Sequence, residues 1–123
     1  MTYQLDIEIK GAPLLPNRLL RRHWTVLKRH SDQWNLLVRC AVGRELPPTP
    51  LPRARIEITR GSSQRPDTDN LVGSGKVLLD ALRYSGVIED DTLDHVEVRY
   101  FWTYEKPKST RTTIRVVGVE GTA

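Results

Sequence analysis

Two short acidic clusters carry the chain's most suggestive chemistry, Asp67-Thr68-Asp69 and Glu89-Asp90-Asp91. Carboxylates crowded together repel one another, and a hard divalent cation removes that repulsion while gaining oxygen ligands. Mg²⁺, with Mn²⁺ as a substitute, is the expected occupant, since Cys40 is the single cysteine and no thiolate-based zinc site can be built from it. Such an ion activates a water and stabilises the charge that builds on a phosphodiester during in-line attack. Lys76, downstream of the first cluster, adds a cation suited to phosphate oxygens or a leaving group. The competing reading is plainer: short acidic clusters near loops also serve as solvated turns and helix caps, and Asp69 alone has the placement of an N-cap.

Two other motif readings fail on their own requirements. Asp67-Thr68-Asp69-Asn70 opens like an EF-hand loop, but its twelfth position is Leu78, which cannot chelate calcium. Gly73-Ser74-Gly75-Lys76 has the look of a phosphate-binding loop, yet Val77 stands where Ser or Thr should hold magnesium.

The clusters need elements to position them. Tyr3, Leu5, Ile7 and Ile9 alternate with polar residues, which predicts a strand closing at Gly11-Ala12-Pro13. Trp24, Leu27, Ser31, Trp34, Val38 and Ala41 recur at helical spacing and predict a helix over about 25–42, ended by Gly43, with Trp24 and Trp34 both in the core. Pro47, Pro48, Pro50 and Pro52 predict an irregular connector. Ala54, Ile56 and Ile58 predict a second strand, and Val77, Leu78, Ala81 and Leu82 a second helix over about 74–84, with Lys76 and Asp80 as an i, i+4 pair. Asp67-Thr68-Asp69 then falls between strand and helix, where an extended segment points alternate carboxylates to one side. Val96 to Tyr104 and Thr112 to Val116 alternate on either side of Lys106-Pro107-Lys108-Ser109 and predict an antiparallel hairpin, with Trp102 and Tyr104 packed on the sheet. The expected fold is α+β: a single domain over 1–123, with two helices on one face of a four-stranded mixed sheet.

The bulk numbers bound the rest. A chain of 123 residues supports one layered core. With 38% hydrophobic and 28% charged residues and no apolar run near 20 residues, it reads as soluble. Met1 to Asp6 shows no basic start followed by an apolar run, so a cytoplasmic location is expected. The formal net charge of +4 permits a nucleic-acid partner, and its distribution is segregated. Arg18, Arg21, Arg22, Lys28 and Arg29 cluster without an acid among them, whereas the acids crowd the second half. These five, with Arg65 close before Asp67, are the candidate DNA-binding residues; a solvated helix face is the alternative for the run. His23 and His30 are read as surface or packing residues.

Three blocks in order resemble a known signature: Asp67-Thr68-Asp69-Asn70-Leu71, Lys76-Val77-Leu78-Leu79-Asp80-Ala81-Leu82, and Gly86-Val87-Ile88-Glu89-Asp90-Asp91. They are similar to the D-x-D-N-L, K-x-x-x-D-A-L and G-x-x-x-D-D blocks of the RusA-like Holliday junction resolvases, and a weaker likeness extends to Pro16-Asn17-Arg18 and the outer strands. The resemblance implies a homodimeric, Mg²⁺-dependent endodeoxyribonuclease that binds four-way DNA junctions and makes paired symmetric nicks in recombination, repair or phage DNA processing. It implies catalytic and metal-binding roles for Asp67, Asp69 and Asp91, a metal-assisting role for Asp90, and a catalytic role for Lys76. The pattern departs at Gly73-Ser74-Gly75, which widens the spacing from Asn70 to Lys76: either a glycine turn precedes the helix, or the helix is longer by nearly a turn. Two further readings are a non-catalytic branched-DNA-binding protein of the same fold and a small protein-interaction domain whose acids are helix caps.

Overall fold

In the computed structural model, residues 3–119 are described, so that Met1 and Thr2 of the N-terminal reading lie outside them. Among these residues four strands are formed: β1 (Gln4–Lys10), β2 (Ala54–Ser62), β3 (Val96–Tyr104) and β4 (Arg111–Gly118). They make one mixed sheet in the order β1-β4-β2-β3. Among the same residues four α-helices accompany it: α1 (Pro16–Leu19), α2 (Trp24–Val42), α3 (Thr68–Ser74) and α4 (Lys76–Ser85). The architecture is the expected α+β single layer of sheet with helices, α2 and α4 being the two principal ones.

The strands form where the alternation placed them. Leu5, Ile7 and Ile9 of β1, Ile56 and Ile58 of β2, and Ile114 and Val116 of β4 are all buried and face the helices. Trp34, Val38 and Val42 from α2 and Leu78, Leu79, Ala81 and Leu82 from α4 close the core over them. Burying side chains of this size contributes about 1.5–3 kcal/mol each before chain entropy is counted, which is what holds α4 on the sheet. Gly86, in the left-handed region at φ 89°, ends α4 where no other residue is as comfortable.

The expected β3–β4 hairpin is not formed. β2 lies between these strands: Ile58 pairs with Tyr100 of β3 on one side, in parallel, and with Ile114 of β4 on the other, antiparallel. The parallel pair follows from the helical crossover through α3 and α4, since strands joined that way can return in the same direction. The 3-10 turn Pro107–Ser109 therefore carries the chain across the end of β2. Gly61 makes that crossing possible, because a Cβ there would meet Glu105 Cγ at 2.7 Å and Arg111 Cγ at 3.3 Å. β1 and β3 are the sheet edges.

Two aromatic placements also differ from expectation. Trp34 is buried, but Trp24 is 66% exposed, because the α2 side chains that enter the core all come from Trp34 onward and the first turns of the helix overhang it. Trp102 packs on the sheet, half-buried with its Nε1 donating to Ser62 Oγ of β2 at 3.0 Å, but Tyr104 is 61% exposed, since among the described residues no helix covers the end of β3 on that side.

Candidate functional site

Asp67 is not in an extended pair with Asp69. It is the N-cap of α3, with Oδ1 accepting from the Asn70 backbone N–H at 2.8 Å and from Asn70 Nδ2 at 3.0 Å. Asp69 lies in the first helical turn, exposed, where a negative charge is favoured by the helix dipole. Residues two apart at a helix start turn away from each other, so the two carboxylates are not presented together as an extended segment would present them. Asn70 also reaches across to α1, where its Oδ1 accepts from the Asn17 backbone N–H at 3.3 Å and ties the Pro16-Asn17-Arg18 turn to the D-x-D-N block.

The Gly73-Ser74-Gly75 segment ends α3 and joins it to α4, with Gly75 at φ −77°, ψ −16°. Its glycines are explained by closeness rather than by a special backbone angle. A Cβ at Gly73 would strike Pro16 Cγ at 2.5 Å, and one at Gly75 would run into the Tyr100 ring. The chain thus breaks its helix at Gly75 while pressed between α1 and β3, and Lys76 starts α4 rather than continuing α3.

The third block returns along α4. Val87 N–H donates to the Leu82 carbonyl at 3.0 Å, and Glu89 N–H donates to the Leu51 carbonyl at 3.0 Å. This return sets Asp91 beside the α4 face carrying Lys76 and Asp80. Lys76 Nζ stands 3.9 Å from Asp91 Oδ2, with the Asp91 side chain 19% exposed and that of Lys76 76% exposed. The ion pair of Lys76 is therefore with Asp91 rather than with Asp80. Burial pushes the Asp80 carboxyl above its ordinary range; Lys76 opposes the rise and the neighbouring Asp91 carboxylate adds to it. Asp90 accepts the Asp91 backbone N–H at 2.8 Å, and that hydrogen bond holds its carboxyl below the usual range. Asp80 is the member of this group that sequence reasoning left without a role in the site, although it stands at i, i+4 from Lys76 and is the aspartate of the second block; the spacing by itself describes a surface pair.

Lys76, Asp80, Asp90 and Asp91 are brought together, and Asp67 and Asn70 form a second set at the start of α3. Among the described residues no group of three His, Cys, Asp or Glu side chains stands ready to hold a metal ion. The donors present suit a hard cation by type, being carboxylates only, and the charge crowding at Asp80 and Asp91 is of the kind a cation relieves.

The basic candidates are all exposed. Arg18 closes α1, and Arg22 Nε donates back to its carbonyl at 3.2 Å. Arg21 adopts a positive φ of 63° in the link to α2. Lys28 pairs with Asp32 at 2.8 Å, so its charge is partly answered within α2, and Arg29 is exposed beside it. Arg65 lies over the Trp102 ring, 5.7 Å from its centroid. His23 caps α2 by accepting from the Thr25 N–H at 3.2 Å, and His30 accepts from the Leu14 N–H at 3.1 Å. Burial lowers the basicity of His30, as its packing position requires.

No family model matches the chain, and no curated protein matches it. Among the described residues no helix is long and apolar enough to cross a membrane.

Proposed function

We propose that the chain is a metal-dependent, structure-specific endodeoxyribonuclease that nicks branched DNA, of the RusA-like kind, working as a homodimer. The observation that carries the reading is the seating of Asp91 between Lys76 and Asp80. A carboxylate held at low exposure beside an exposed ammonium is the pairing a phosphodiester hydrolase needs, one group for a cation and one for the phosphate.

In this reading Asp67, Asp69 and Asp91, assisted by Asp90, hold Mg²⁺ or Mn²⁺, which when bound supplies Lewis-acid stabilisation of the charge on the scissile phosphate. The chain's own groups do the rest. Lys76 would neutralise a phosphate oxygen, and Asp80, crowded against Asp91, adds to the negative charge that a cation would relieve. Arg65 stands two residues before the α3 cap, and Arg18, Arg21, Arg22, Lys28 and Arg29 offer positive charge to the flanking backbone. The reading carries a structural requirement: the first turn of α3 and the 89–91 segment must close on one ion when DNA binds.

The test is a labelled four-way junction, a nicked duplex and a linear duplex, each incubated with the protein in Mg²⁺ or in EDTA. Paired nicks confined to the junction, lost in EDTA and in Asp69→Asn and Asp91→Asn with binding retained, are the expected result. Nicking that survives both substitutions overturns it. A non-catalytic branched-DNA-binding protein is the second reading, favoured by the lack of an assembled three-ligand group among the described residues. Junction binding equal in Mg²⁺ and EDTA, with no nick at any protein concentration, would establish that alternative.

A further inference from the structure

Side chains two apart on β3 face the same way, and on the helix side they run Val96, Val98, Tyr100, Trp102, Tyr104. The helices cover only the first part of this row. Tyr100 is half-buried against Gly75, while Trp102 is half-buried and Tyr104 is 61% exposed. Trp102 is fixed in place: its Nε1 donates to Ser62 Oγ at 3.0 Å, and Ser62 Oγ donates to the Gln64 carbonyl at 2.9 Å. The Arg65 guanidinium lies over the indole, 5.7 Å from the ring centroid. The exposed Lys106 and Lys108 follow directly in the turn after β3. The acid nearest in sequence, Glu105, is already answered by Arg111 at 2.8 Å. The uncovered end of this edge strand thus presents one anchored ring, Trp102, and one exposed ring, Tyr104, with Arg65 over the first and two exposed lysines following the second.

We propose that Trp102 and Tyr104, flanked by Arg65, Lys106 and Lys108, form a stacking platform for the bases of single-stranded DNA at the end of β3. Ring faces accept any base, and the cations follow the phosphates, so the surface favours unpaired over duplex DNA without reading sequence. A buried core row would hide Tyr104, and a merely solvated strand end would not pin Trp102 through Ser62. The proposal rests on the nuclease reading only for the choice of DNA as partner, and it places unpaired nucleotides next to Arg65 and hence near the α3 cap.

The experiment measures fluorescence anisotropy of a labelled oligodeoxythymidylate and of a labelled duplex of equal length, with the full chain in EDTA. Single strands should bind more tightly than the duplex. Tyr104→Ala should weaken single-strand binding about 5- to 150-fold, the range that one lost base–ring stack corresponds to. Tyr104→Phe should bind as the parent does, and Arg65→Ala should weaken binding with a shallower salt dependence. Tyr84→Ala, an exposed tyrosine on α4, should change nothing. Equal binding of both DNAs, or Tyr104→Ala indistinguishable from Tyr84→Ala, overturns the platform. Its failure is separable from that of the nuclease reading: junction nicking with an indifferent Tyr104 removes only the platform, and Tyr104-dependent binding without nicking removes only the nuclease.

Discussion

Replacing Lys76 by Met separates a functional charge from a structural one. The Lys76–Asp91 contact is 3.9 Å, at which two unit charges attract by ~1 kcal/mol in bulk water and ~4 kcal/mol at an effective dielectric constant of 20. Because the lysine side chain is 76% exposed, the aqueous end of that range applies, and the cost of immobilising a long side chain reduces it further. Lys76→Met should therefore lower stability by less than ~1 kcal/mol. With ~2.1 cal/mol/K of unfolding entropy per residue over 123 residues, ~1 kcal/mol shifts Tm by about 4 °C. Calorimetry at neutral pH should show a fall no greater than that, and the difference should shrink in 1 M salt. Junction nicking in Mg²⁺ should fall on the order of 100-fold or more, as when one charge-stabilising donor is removed from an active site. A Tm loss above ~10 °C, more than twice the shift such a pair can produce, would mean that Lys76 holds α4 in place, and unchanged nicking would remove it from the chemistry; either result refutes the reasoning.

The Asp67 cap gives a paired test: Asp67→Ala should cost about 0.5–2 kcal/mol in denaturant unfolding, whereas Asp67→Asn keeps an acceptor for the Asn70 N–H, loses little stability and still abolishes nicking. Asp80 has a carboxyl pKa raised in the folded chain, so its ionisation costs stability in full above that folded value, and the cost is gone once pH falls below the ordinary carboxylate value. Asp80→Asn should accordingly stabilise the fold at neutral pH, with the gain closing in acid; a gain independent of pH would remove the charge crowding as its cause. Leu82→Ala, at a fully buried position between α4 and the sheet, should cost about 2–5 kcal/mol in chemical denaturation, and a cost under ~1 kcal/mol would contradict the packing described.

Much of this architecture is legible in the residue pattern, and the misreadings have physical causes. Leu5-Ile7-Ile9 and Ile56-Ile58 declare strands because alternation reports burial directly, and Gly43 and Gly86 declare helix ends because few residues accept their backbone angles. Lys106-Pro107-Lys108-Ser109 announces a turn but says nothing of which strands lie side by side, and the insertion of β2 between β3 and β4 is a long-range choice. Trp24 sits at helical spacing from Trp34, yet spacing does not reveal that the helix outruns its core. At the site, the order of the blocks does not reveal that the chain returns beside α4 and brings Asp91 to Lys76, and the Asp67 cap depends on the Asn70 backbone and side chain, which an extended segment leaves out of account. Asp80 escapes notice because an i, i+4 partner on the same helix offers a sufficient local account of it.

The pairing of β1 with β4 sets Gln4 opposite Val117, and the Gly118 N–H donates to the Tyr3 carbonyl at 2.8 Å. Residues more than a hundred positions apart are thus immediate neighbours across one ladder. A short linker between these ends, with new termini opened in the exposed turn Pro107–Ser109, would circularly permute the protein while keeping every strand neighbour. The most distant pairing in the chain would become a local hairpin, and a permutant so made should reach its native state faster than the parent.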